Sequence, residues 1–113
     1  MPFKALNSAY YAMFHAIRSL LALEREDAKT HAGALALFSK HFVVSAEKFS
    51  KKDVADVMYV QSMRSKGDYV DYYLPTPEEV RRTIELAKSF VKKVQLYLAA
   101  NDIKFVIWGK YDN

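Results

Sequence analysis

Apolar residues recur at helical spacing in four stretches of the chain. From Ala5 to about Glu24, Leu6, Tyr10, Met13, Ile17 and Leu20 follow one another three or four apart, and Phe14 and Leu21 widen the row. This predicts a helix buried on most of its circumference. Its polar residues Tyr11, His15 and Arg18 also keep that spacing and so share one face. A second helix is predicted from about Thr30 to Phe42, with Ala34, Leu37, Phe38 and Phe42 in an apolar row, Thr30 as N-cap and Gly33 allowing close helix approach.

The third helix should open at Ser50, where Asp53 makes a carboxylate form of the capping box, and carry Val54, Val57, Met58 and Gln61 inward towards Arg64. Gly67 is expected to end it. A loop through Asp68 and Tyr72-Tyr73 leads to Leu74-Pro75-Thr76-Pro77-Glu78-Glu79, with Thr76 as N-cap, Pro77 as first helical residue and Glu79 as box partner. A fourth helix then turns Val80, Ile84, Ala87, Val91, Val94 and Leu98 inward and stops near Asn101. Four amphipathic helices with short connections predict an all-α, up-and-down four-helix bundle, one domain over residues 1–113. The segment Ile103-Lys104-Phe105-Val106-Ile107-Trp108 is an apolar C-terminal tail, too rich in β-branched and aromatic residues for a confident helix.

Composition narrows the setting. The chain has no cysteine, no opening signal segment and no apolar run near the roughly 18 residues of a membrane span, so a soluble, cytoplasmic protein is expected. A net charge of +4 permits contact with nucleic acid without demanding it. Lys51-Lys52, Arg81-Arg82 and Lys92-Lys93 read as solvated helix faces. Eight Tyr and seven Phe could stack on bases, although at helical spacing such rings usually build a core.

Two segments carry more. Asn7-Ser8-Ala9-Tyr10-Tyr11-Ala12-Met13-Phe14-His15-Ala16-Ile17-Arg18 and Arg64-Ser65-Lys66-Gly67-Asp68-Tyr69 resemble the HEPN (higher eukaryotes and prokaryotes nucleotide-binding) family. The resemblance runs from about Ala5 to Ala99 and implies a small helical bundle that dimerises, in a family with many ribonucleases and toxins that work beside a nucleotidyltransferase-like partner. In the family the helix bearing the Tyr-Tyr-Ala signature is normally preceded by another amphipathic helix, whereas the sequence opens directly at Met1-Pro2-Phe3-Lys4, so that either the start lies upstream or something else is expected to fill that groove. Active relatives carry an Arg followed after four to six residues by His. Here Arg64 and its polar neighbour Ser65 match, but the allowed positions hold Tyr69, Val70 and Asp71. The Arg-x-x-x-Asp-Tyr pattern therefore resembles a subgroup without the standard nuclease motif.

The resulting expectation is a homodimeric HEPN-like domain that binds a nucleotide, RNA or a nucleotidyltransferase-type partner through a cleft lined by Tyr11, His15, Arg18, Arg64, Asp68 and Tyr69. The alternative is a metal-independent ribonuclease toxin in which Arg64 holds phosphate and His15 or Tyr69 replaces the missing acid-base group, a task for which an ordinary tyrosine, with a pKa of about 10, is poorly suited. Enzyme activity stays open, with binding favoured. Simpler readings stand beside these: Arg64 as a helix-terminal cation, Asp68 as a turn residue, Tyr69 as a half-buried ring, and His15 as a core or interface histidine. His31 and His41 read as surface residues. No His pair has zinc-site spacing, and no metal or cofactor is expected.

Overall fold

The structure is a computed structural model that describes residues 2–69 and 74–101, the side chains of 2, 67–69 and 101 excepted. Four α-helices form the bundle: α1 (Pro2–Leu23), α2 (His31–Phe38), α3 (Lys51–Tyr69) and α4 (Pro77–Asn101), with a π-helical segment (Ser39–Ser45) continuing α2. α1 is the central element and packs against the other three, most extensively α4. The tail 103–108 and Tyr72-Tyr73 lie outside the described residues.

The predicted row of α1 is the spine of the core. Leu6, Met13, Ile17, Leu20 and Leu21 are almost wholly removed from solvent. All but Leu6 join one core cluster with Ala34 and Phe38 of α2, Val57 and Val60 of α3, and Ala87, Phe90 and Val94 of α4. At one end Phe38, Phe42, Phe49, Phe90 and Tyr97 form a cluster with ring centroids 5.3–6.1 Å apart. Edge-to-face pairs dominate it, as the ring quadrupole favours.

Local chemistry sets the helix ends. The Thr30 hydroxyl accepts from Gly33 N–H at 3.0 Å. Ser50 N–H donates to Asp53 Oδ2 at 2.8 Å, and Asp53 N–H returns to Ser50 Oγ at 3.3 Å. Thr76 and Glu79 exchange the same two bonds at 2.9 and 3.1 Å. Each satisfies amide donors that a helix start otherwise leaves orphaned. α1 ends without glycine: Arg25 takes the left-handed conformation (φ 54°), its N–H reaches Ala22 O, and Glu26 N–H reaches Leu21 O at 2.9 Å. That is a Schellman closure with a residue that resists it.

Several expectations are corrected. The second helix does not stay α-helical to Phe42: after Phe38 it widens to π geometry, and Phe42 remains buried and stacked on Phe38. Gly67 does not end α3, which runs through it to Tyr69. Met58 faces solvent at 56% exposure, because the buried row of α3 is Val57, Val60 and Met63. Gly33 serves the local cap: an added Cβ would stand 3.1 Å from Thr30 Oγ1 and 3.3 Å from Ala28 Cβ. Thr83 is also buried, its hydroxyl donating to Glu79 O at 2.8 Å.

Candidate functional site

The polar face of α1 meets the start of α2 and the last turns of α3, and the chemistry gathers there. Tyr10 is 4% exposed, so its hydroxyl needs a partner inside the protein. It finds Nδ1 of His31, the first residue of α2. The His31 ring lies parallel to Phe14, with centroids 4.4 Å apart, and edge-on to Tyr10 at 4.9 Å and Tyr11 at 6.1 Å. Thr30 caps α2 and the Arg25 closure turns the chain back, which is how a residue distant in sequence reaches the α1 face.

From the other side, α3 brings Arg64. Its guanidinium carbon sits 4.9 Å from the centroid of the Tyr10 ring, and its Nε donates to Asn7 Oδ1 at 3.1 Å. A cation over a tyrosine face is attracted by the ring quadrupole. Tyr10 is therefore held between Arg64 and His31. Arg18, two helical turns beyond Tyr11 on α1, is exposed and acts on Tyr10 and His31 through its charge, while Tyr11 leaves its ring 46% exposed.

The electrostatics follow from this crowding. Burial pushes the Tyr10 phenol above its ordinary pKa of 10.0, a rise that Tyr11 reinforces and the Arg64 and Arg18 charges oppose. Burial first, then Arg18 and Arg64, push His31 below its ordinary value of 6.5. The imidazole is accordingly neutral near pH 7. Its two tautomers are both open, because the Tyr10 hydroxyl can donate to Nδ1 or accept from it.

Of the residues expected to line a cleft, Tyr11 and Arg64 touch Tyr10 or His31, and Arg18 acts on both through its charge. His15 is on α1 but exposed, so it is no core histidine; its backbone carbonyl accepts from the Ser19 hydroxyl at 3.0 Å. Asp68 and Tyr69 belong to the last turn of α3, with side chains outside the described residues. Two participants were missed by sequence reasoning. His31 is half-buried rather than a surface residue, and Asn7, within the α1 signature, had no assigned role. Neither is His41 freely exposed: it pairs with Glu26 at 3.1 Å. A capped helix start carrying an aromatic nitrogen donor was the available signal for His31, but periodicity relates residues of one helix only.

A second concavity lies away from this chemistry. Ala5, Ser8, Ala9 and Ala12 of α1 face Ile84, Ala87 and Val91 of α4 across an apolar groove rimmed by Lys88 and Lys92. Among the described residues, no helix is long and apolar enough to cross a membrane.

A small helical bundle in which Arg64 of α3 and His31 of α2 meet Tyr10 of α1 defines the class. The profile of the HEPN domain family matches residues 4–97, and the chain belongs to that family. A protein of Methanocaldococcus jannaschii named "Putative toxin MJ0605" is 32% identical over 92 residues, 80% of this chain and 66% of its own length. A UPF0332 protein of Thermotoga maritima is 29% identical over 91 residues, covering 80% of this chain and 68% of its own. A UPF0332 protein of Pyrococcus horikoshii is 44% identical over 41 residues, 36% of this chain and 29% of its own. The chain thus spans at most about two thirds of these relatives. No solved structure matches it significantly.

Proposed function

We propose that this HEPN domain binds single-stranded RNA, or a nucleotide, at the α1–α2–α3 junction. The observation that carries the reading is Arg64 over the ring of buried Tyr10, which bonds half-buried His31, with the Arg18 charge acting on both and the exposed ring of Tyr11 beside them. A guanidinium can grip two phosphate oxygens at once, and an exposed aromatic ring offers a stacking platform that tolerates any base. In this reading Asp68 and Tyr69 border the same cleft from the end of α3, and His15 extends it along α1. Titration of a short RNA against the wild type and Arg64→Lys tests it.

A second reading is favoured by the name of the Methanocaldococcus jannaschii relative: the chain as the toxin of a toxin-antitoxin pair, acting on RNA and controlled by a nucleotidyltransferase-like protein. Both readings place the protein in the cytoplasm and include a homodimer of two-fold symmetry. Co-purification with the product of a neighbouring nucleotidyltransferase reading frame would separate the toxin reading from that of an independent RNA binder.

A further inference from the structure

α4 separates its side chains by face. Glu78, Glu79 and Glu85 line a polar depression beside Tyr59 of α3, whereas towards α1 the helix presents Ile84, Ala87 and Val91, with Lys88 and Lys92 at the rim. Opposite them α1 supplies only small side chains, Ser8, Ala9 and Ala12 among them. A low floor between apolar walls leaves room for rings and branched side chains, and such a groove is stabilised by being covered.

The end of α4 points to an occupant. Ile84, Lys88, Val91 and Gln95 recur three and four residues apart and form a strip along the helix. Extended one residue past Asn101, where α4 ends, the same strip reaches position 102, about five turns after Ile84. The chain therefore leaves α4 on the face that carries the groove. The apolar segment Ile103-Lys104-Phe105-Val106-Ile107-Trp108 comes next in the sequence and lies outside the described residues. We propose that this tail folds back along α4 and docks in the α1–α4 groove of its own chain, with Phe105 to Trp108 against Ala9, Ala12, Ala87 and Val91.

Reach and chemistry both fit. At about 1.5 Å per helical residue, the way back from Asn101 to the level of Gln95 is about 9 Å, which Asp102, Ile103 and Lys104 cover at about 3.3 Å each when extended. The groove from Gln95 to Ile84 is then about 17 Å long, and Phe105 to Trp108 fill about 13 Å of it. Asn101 and Asp102 suit the reversal, because their short polar side chains tolerate the left-handed conformation that closes a helix. Lys88 and Lys92 can lay their methylene stems along the tail and set their ammonium groups on its rings, as Lys93 does on Phe49 with Nζ 5.0 Å from the ring centroid. A second copy fits less well: two grooves pairing about a two-fold axis would bring these lysines against their own counterparts.

The test uses the full chain and needs no label, because Trp108 is its one tryptophan and its fluorescence reports on the tail alone. In wild type the emission should lie to the blue of the urea-unfolded chain and be shielded from acrylamide. Ala12 is exposed on the groove, so Ala12→Glu puts a carboxylate in the path of the tail without entering the core. That variant should shift Trp108 emission to the red and raise its quenching, with helical circular dichroism unchanged. The chain has no cysteine, so Ala12→Cys combined with Ile107→Cys creates a single pair, which should oxidise to a cross-link within one chain, seen as monomer mass on a non-reducing gel. The cysteine pair decides the matter if Ala12→Glu fails to fold. Wild-type emission equal to that of the unfolded chain, shielded emission that a folded Ala12→Glu leaves unmoved, or a cross-link that forms only between two chains or not at all overturns the proposal.

Discussion

Arg64 lies with its guanidinium carbon 4.9 Å from the ring centroid of Tyr10, anchored by a 3.1 Å bond from its Nε to Asn7. This one relationship joins the two sequence segments that carry the family resemblance, since Tyr10 and Asn7 come from the α1 signature and Arg64 from the α3 motif. It also makes Arg64 a structural residue as well as a candidate ligand donor. The aromatic face contributes on the order of 0.5–1 kcal/mol at such a half-exposed site.

The facing of the helices can be tested by truncation. Ile17 is fully buried at the centre of α1, so Ile17→Ala should cost about 2–5 kcal/mol through lost burial and the cavity left behind. Lys92 is exposed on α4, and Lys92→Ala should stay within about 0.5 kcal/mol. Urea midpoints that fell equally for the two variants would contradict the assigned core.

Asp53 predicts an acid sensitivity. Its carboxylate caps Ser50 and receives Lys93 Nζ from α4 at 2.6 Å. Burial alone would raise its pKa, but the bonds from Lys93 and Ser50 outweigh burial and leave it below the ordinary 3.8. The native state then binds the proton less readily than the unfolded chain. This stabilisation is present above about pH 4 and is lost as pH falls through the lower native value. Asp53→Ala should cost about 1–3 kcal/mol at pH 7. The gap between variant and wild type should shrink below pH 4 in urea titrations. A gap that held constant into acid would contradict the ion-pair and cap assignment.

The end of α1 offers a gain in stability. Arg25 occupies the left-handed region at φ 54°, where a side chain costs about 1–2 kcal/mol. Arg25→Gly should raise stability by about 1 kcal/mol while preserving the Leu21–Glu26 closure. A lower melting temperature would show that Arg25 contributes contacts beyond the turn.

Assembly is tested by mass. Two-fold pairing of a second copy is the expected arrangement. Light scattering at micromolar concentration should return twice the 13.0 kDa chain mass, and a value of 13.0 kDa would refute the dimer.

Much of the fold was legible because its determinants are local. The α1 row from Leu6 to Leu21, the Thr30 cap and the two capping boxes each depend on residues three or four apart, and all appear in the structure. The π-helical turn was hidden because keeping Phe42 beside Phe38 is a demand of the phenylalanine cluster, not of neighbouring residues. Met58 misled because it follows Val57 immediately, and the helix turns it about 100° away from the core. The site was half legible. Tyr11, Arg18 and Arg64 lie within recognisable segments, whereas His31 joins them only through the chain reversal at Arg25 and the hydroxyl of Tyr10.

The central claim is that the α1–α2–α3 junction grips RNA phosphate through its arginines. Calorimetric titration of a short single-stranded RNA into wild type and Arg64→Lys tests it most directly. Lys keeps the charge but loses the planar fork, so the variant should bind weaker by about 1 kcal/mol or more, roughly fivefold or greater. Part of that charge-assisted binding should be lost in both proteins as salt is raised. Equal affinity of wild type and Arg64→Lys, or no heat of RNA binding at all by a folded wild type, would contradict the account.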